Sequence, residues 1–243
     1  MNTIDKINYI SNWIKTYANS NNFKALVIGI SGGIDSAVTS TLSAKTGMKT
    51  IVANMPILDH KLTNDRGLSH ITWLKNNFEN VEDLKIDLSV VFENFKVALS
   101  SNNSEHGYAN SQARIRMTTL YQIAASNNGI VVGTGNKVED FGIGFYTKYG
   151  DGGVDISPIA DCLKTEIWDM GKELMINHDI IEAAPTDGLW TDGRSDEDQV
   201  GLSYAEIEEA MLNEDSSNRN KYLEIRENNI HKMNPIPVCI LPK

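Results

Sequence analysis

Residues 25–36, ALVIGISGGIDS, limit what this chain can fold into more than any other stretch. Ala25 to Ile30 is short, aliphatic and uninterrupted, the pattern of a strand buried on both faces. Ala37 to Ala44 suits a helix, with side chains small enough to pack closely against that strand. A strand buried on both faces needs helices above and below its sheet, so the junction already points to an α/β chain with a mostly parallel sheet.

The turn between the two elements carries its own chemistry. Gly32 and Gly33 permit positive φ and let a ligand approach the backbone. The helix that follows points free N–H groups and the positive end of its dipole into the gap, which makes an anion site. The spacing matches neither the common phosphate loop, which needs Gly-Lys-Ser/Thr, nor the dinucleotide G-x-G-x-x-G pattern. Asp35 is the odd residue, because a carboxylate beside phosphates is repulsive unless a cation lies between them. The motif therefore implies a divalent metal, magnesium by its hard oxygen chemistry. The plain alternative is a Gly-Gly connection in which Asp35 or Ser36 caps the helix.

Hydrophobic spacing along the chain extends this picture. Ile4, Ile7, Ile10, Ile14 and Tyr17 predict an amphipathic helix over the first twenty residues. Strands are expected at 50–55, 84–88 and 129–134, and helices at 60–78, 108–126, 163–175 and 204–213, with a last one ending near His231. Alternating elements of this kind predict one Rossmann-like domain over residues 1–243, its parallel sheet flanked by helices. The polar stretch 191–199, TDGRSDEDQ, is expected to be a mobile surface loop.

Composition narrows the partners. A net charge of −10 argues against a nucleic-acid backbone as the main partner. No apolar run approaches membrane-spanning length, and the first residues lack a basic stretch followed by an apolar core, so a cytoplasmic protein is expected. Cys162 and Cys239 are too far apart in sequence for a C-x-x-C zinc pattern and read as small buried hydrophobes in a reducing compartment.

Ligands of such sheets sit beyond the carboxyl ends of the strands. Two segments fall there: the glycine turn and GTGNKVE (133–139). If their strands are neighbours, Asp35 and Glu139 reach one cation; otherwise Glu139 is an ordinary helix-start acid. The segment FYTKYGDGGVD (145–155) gathers Lys148, Asp151 and Asp155 around a glycine-rich turn that a plain hairpin would also explain. Arg114 and Arg116 are two apart on a helix, so they point to different sides and at most one need face a ligand.

Taken together these segments resemble the NAD synthetases of the N-type ATP pyrophosphatase superfamily, in the same order from about residue 4 to residue 235. The glycine loop alone is shared with GMP synthetases, asparagine synthetases and tRNA-modifying enzymes, whereas the TKYGDGG run is far more specific. The resemblance implies amidation of deamido-NAD by ATP and ammonia, giving NAD, AMP and pyrophosphate through an adenylated intermediate. It places ATP on Gly29, Ile30, Ser31, Gly32, Gly33, Ile34, Asp35, Ser36, Thr134, Lys164 and Thr186. It places deamido-NAD on Arg114, Lys148, Asp155, His231 and Lys232, and magnesium on Asp35 and Glu139. Asp151 matches an acid that receives ammonia. It also implies free ammonia as the nitrogen source, with no glutaminase domain, and a homodimer that binds the dinucleotide across its interface.

The chain departs from the family pattern at GTGNKVE, where GTDHAAE is frequent, so only Thr134 and Glu139 carry over there. Two other classes stay open at this stage. A GMP-synthetase-like amidase accounts for Asp35 but not for residues 147–155, and a non-catalytic nucleotide sensor does not account for two metal carboxylates and Lys164.

Overall fold

The computed structural model describes residues 1–57, 61–186, 188 and 195–242. Four parallel strands form the sheet: β1 (Ala25–Gly29), β2 (Lys49–Asn54), β3 (Val81–Lys85) and β4 (Gly129–Val131), in the order β3-β2-β1-β4. Val27 pairs with Ile51 on one side and Val131 on the other, so the carboxyl ends of the central strands finish together. The chain reverses its direction of travel across the sheet between β1 and β4, and the ligand crevice of an open α/β sheet opens at such a point.

Helices cover both faces. On one side lie α1 (Thr3–Ser20), α2 (Ile34–Lys45), α3 (Lys61–Asn77) and α6 (Lys164–Glu173), sharing a core with β1 that includes Ile14, Leu26, Leu42, Leu74 and Ile167. On the other lie α4 (Ser89–Ala98) and α5 (Glu105–Ser126), whose Phe92 and Ile123 pack beside Val27 and Ile51. A third cluster joins α9 (Tyr204–Leu212) and α10 (Arg219–Met233) to a π-helix at Lys137–Ile143.

Helix α2 explains why its sequence is so rich in serine and threonine. Every residue from Ser36 to Ala44 is buried, so the helix has no solvent face. Small side chains let its neighbours approach, and all of its hydroxyls except that of Thr39 bond to carbonyls three or four residues back. Thr41 donates to the Ala37 carbonyl at 2.7 Å and Ser43 to that of Thr39 at 2.8 Å.

Several expectations need correction. The strand expected at 84–88 lies at Val81–Lys85, because this edge strand buries only Val81 and its pattern does not alternate. The apolar Ile86 and Leu88 that invited the later placement instead pack beside the sheet in the connection to α4. Helix α4, the short α7 (His178–Ile181) and the π-turn were not anticipated. Cys162 is buried as expected, but Cys239 is exposed on the last segment. Of the stretch 191–199, residues 191–194 lie outside the described residues. The remainder is not loop: Ser195 caps the short α8 (Asp196–Val200), with its hydroxyl accepting from the Asp198 N–H. Among the described residues no helix is long and apolar enough to cross a membrane.

Candidate active site

Beyond the carboxyl ends of β1, β2 and β4 opens a cavity of about 930 Å³. Every site residue expected from the sequence lines it except Gly32 and Asp155. Gly32 is part of the loop beneath, where it holds φ +86° and a Cβ would stand 2.2 Å from the Thr63 carbonyl oxygen. The loop therefore lies directly on α3, and only glycine fits there. Arg66 of α3 reaches the same loop, its Nε 3.4 Å from the Gly32 carbonyl. Asp155 is engaged elsewhere: it accepts from the Val131 N–H at 2.8 Å and from the Tyr121 hydroxyl at 3.1 Å. Its observed contacts fix the strand that follows α5.

The loop is shaped by its serines. Ser36 Oγ donates to the Gly33 carbonyl at 2.9 Å, and Ser31 Oγ accepts from the Gly33 N–H at 3.2 Å. Gly33 is the N-cap of α2 and brings no side chain to it, so neither Asp35 nor Ser36 caps the helix. Its first N–H groups are left to the cavity, the arrangement that binds phosphate.

Asp35 is instead the centre of a charge cluster. Lys164 Nζ lies 2.6 Å from Asp35 Oδ2 and 2.8 Å from Glu139 Oε1. The lysine is 1% exposed, and its ammonium also sits 4.7 Å from the centre of the Tyr204 ring. Burial disfavours the charged lysine, but the two carboxylates outweigh it and hold its pKa above the ordinary lysine value. Burial raises Asp35 despite the lysine, whereas for Glu139 the lysine, Tyr204 and Asn136 overcome burial and lower it.

Residues that the sequence did not single out position these groups. Asn136 caps the π-helix, accepting from the Val138 and Glu139 N–H groups at 3.0 and 3.1 Å, while its amide donates to Asp35 at 2.9 Å. The Tyr204 hydroxyl donates to Glu139 at 2.5 Å and lies 3.0 Å from Asp196. Asn and Tyr at these places give no sequence signal beyond helix-start chemistry, with Ser203 and Glu206 forming a capping box on α9. Asp140, one residue beyond Glu139 in the π-turn, also lines the cavity, its carboxyl pushed up to about 8 by burial and by Glu139, Asp151 and Asp35.

Asp35 and Glu139 supply hard oxygen donors to one point, and a cation already lies between them. Among the described residues no three His, Cys, Asp or Glu side chains could hold a metal alone. Two carboxylates completed by phosphate oxygens and water suit magnesium, which rarely takes an all-protein cage. The residues present therefore fit the ion.

The cations of the opposite wall rest on backbone. Lys148 donates to the His231 carbonyl at 3.0 Å, Lys232 to that of Tyr146 at 3.0 Å, and Arg114 approaches that of Lys148 at 3.4 Å. Asp151 accepts from the Thr147 N–H at 2.9 Å, so the glycine run is a turn folded around its own acid. Loss of water around that carboxyl pushes its pKa up to about 6. Thr134 and Thr186 complete the rim.

The model of the family described as NAD synthase matches residues 6–236. The chain belongs to that family. It is 34% identical to the NH(3)-dependent NAD(+) synthetase of Methanosarcina acetivorans, over 94% of this chain and 90% of that one. Among solved structures it superposes on the NMN synthetase of Francisella tularensis with a TM-score of 0.90 and 30% identity, over 100% of this chain and 99% of the other. The NH3-dependent NAD synthetase of Campylobacter jejuni, at 24% identity, shares the fold with a TM-score of 0.80 over 99% of this chain and 100% of that one. Membership sets aside the GMP-synthetase-like amidase, which left residues 147–155 unexplained, and the sensor, which left Asp35, Glu139 and Lys164 unexplained.

Proposed function

We propose that the chain is an ammonia-dependent ligase that converts the carboxylate of deamido-NAD to the amide of NAD, with ATP cleaved to AMP and pyrophosphate. One observation carries the reading: a phosphate-binding turn, a Lys164–Asp35–Glu139 cluster and the Asp151 loop share a single cavity. Adenylation splits a difficult substitution in two by making AMP the leaving group. The α2 N-terminus and the 29–36 loop hold the phosphates, and Lys164 offsets charge that grows on the α-phosphoryl oxygens. Asp35 and Glu139 would hold magnesium, which would supply charge neutralisation to the phosphates. Asp151, as the carboxylate, accepts a proton as ammonia adds to the activated carbonyl.

A second reading concerns the size of the acid. The extensive likeness to a protein named NMN synthetase favours nicotinate mononucleotide, which undergoes the same amidation to NMN. Pyrophosphate release with deamido-NAD, nicotinate mononucleotide and xanthosine monophosphate, each with ammonium chloride and ATP, separates the readings. Turnover of xanthosine monophosphate alone, or of no acid, would reject both.

The reading extends to a cytoplasmic homodimer. Free thiols on Cys162 and Cys239 suit a reducing compartment, and Val90, Val91 and Val97 expose apolar surface on α4 that a second copy would cover. Light scattering of the purified chain tests the dimer.

A further inference from the structure

Helix α5 sends two arginines to the cavity, and they are not equivalent. Arg114 is exposed and leans on the Lys148 carbonyl. Arg116 is half-buried, and its Nε donates to the Met55 carbonyl just beyond β2 at 3.0 Å. Among the described residues that is its one hydrogen bond, so both terminal NH2 groups are unused. Burial lowers its pKa to about 10, with the charge of Asp151 opposing the fall, and it stays a cation at neutral pH. A guanidinium presents five N–H donors in a rigid fork, and leaving most of them idle in a partly desolvated place is costly without a ligand.

The remaining question is which anion it takes. ATP phosphates already have the 29–36 loop, the α2 N-terminus, Lys164 and the metal carboxylates. Arg114, Lys148 and Lys232 are bound to carbonyls along the outer wall. An acid substrate brought to Asp151 would meet a like charge, which Arg116 from α5 and Lys232 from α10 both oppose; of the two, the arginine alone offers a fork of paired donors. Its planar fork matches the two oxygens of a carboxylate.

We infer that Arg116 receives the nicotinate carboxylate through its two free NH2 groups and aims one oxygen at the α-phosphorus of ATP. This rests on the ligase reading above. In the first step that oxygen bonds to the α-phosphorus while the bond to the β-phosphate bridge breaks, and pyrophosphate leaves with the electron pair. The second oxygen, still bonded to Arg116, is now the carbonyl of the acyl-adenylate. As the nitrogen of ammonia adds, the carbonyl electron pair moves onto that oxygen, where Arg116 stabilises it. The added nitrogen gives a proton to Asp151, the oxygen's electron pair re-forms the carbonyl, and AMP departs with the pair of the broken C–O bond. One arginine thus serves as substrate receptor and then as oxyanion donor.

Acid and amide forms of the nucleotide differ only at this group, so they provide the test. Binding of deamido-NAD, NAD, nicotinate mononucleotide and NMN, and separately of ATP, is measured by titration calorimetry on the parent, Arg116→Gln and Arg116→Lys. Arg116→Gln is expected to weaken the preferred acid roughly 30-fold, its amide less than about 3-fold and ATP less than about 3-fold. Arg116→Lys, which keeps the charge and safeguards folding, should retain part of the acid preference. Equal weakening of acid and amide would reduce Arg116 to a structural tie between α5 and β2. Selective weakening of ATP would give the fork to a phosphate instead. A parent that releases pyrophosphate with neither acid rejects the ligase reading, whereas an active parent whose acid preference survives in both variants rejects only the role of Arg116.

Discussion

The two walls of the cavity hold their charges in opposite ways. Beside the 29–36 loop Lys164 is buried and closed onto two carboxylates, so the charge is compensated inside the protein. On the opposite wall Lys148 and Lys232, both half-buried, rest on neutral carbonyls. A ligand on the first wall must rearrange an ion cluster, while one on the second needs only to compete with a dipole. The difference assigns different costs to mutation: loss of a charge destabilises the first wall, and loss of a charge merely weakens binding at the second.

Lys164→Met should show the largest effect, because it leaves Asp35 and Glu139 facing each other without a cation. A loss of about 3–5 kcal/mol in urea unfolding is expected without magnesium, partly restored by the ion. An undiminished stability in metal-free buffer would break the contrast between the walls.

Asp35→Asn keeps size and much of the hydrogen bonding, so the fold should persist while pyrophosphate release falls about 100-fold or more at saturating magnesium. Activity equal to the parent's would remove Asp35 from the metal site.

On the opposite wall, Lys148→Met should raise the KM for the acid substrate about 10-fold and leave stability within about 0.5 kcal/mol. A large stability loss with unchanged KM would show that the two walls are alike.

The smallest effect is in pH dependence. Folding raises the pKa of Asp151, so the folded state keeps a proton that the unfolded chain has released between the ordinary aspartate range and about 6. Stability relative to Asp151→Asn should therefore fall as pH rises through that window and level off above it. Turnover should rise across the same window as the carboxylate forms, and further at higher pH as more ammonia is neutral. Matched unfolding and rate profiles of parent and variant from pH 4 to 9 check both signs.

The legible parts of the molecule were those with a strict local grammar. The 25–36 junction announced strand, turn and helix because uninterrupted aliphatics, paired glycines and small residues each have one reading at that spacing. Glu139 and Asp35 were recognisable as partners only if β1 and β4 were adjacent, which the sheet order supplies. Tyr204 and Asn136 were illegible because their roles depend on contacts 65 and 101 residues away in sequence. The arginines were half-legible: helical spacing separated Arg114 from Arg116, but only packing against Met55 placed Arg116 inside. Edge strand β3 was misplaced since one buried residue carries no period.

The π-turn at Lys137–Ile143 has one consequence outside chemistry. Such a turn takes up one residue more than an α-helical turn across the same gap. A relative that closes this segment as ordinary helix needs one residue fewer between its counterparts of Glu139 and Thr147. The difference must surface in aligned sequences as a single-column gap. That gap can be counted without any structure, and it sorts descendants of one architecture from those of the other, an inherited mark written in length instead of letters.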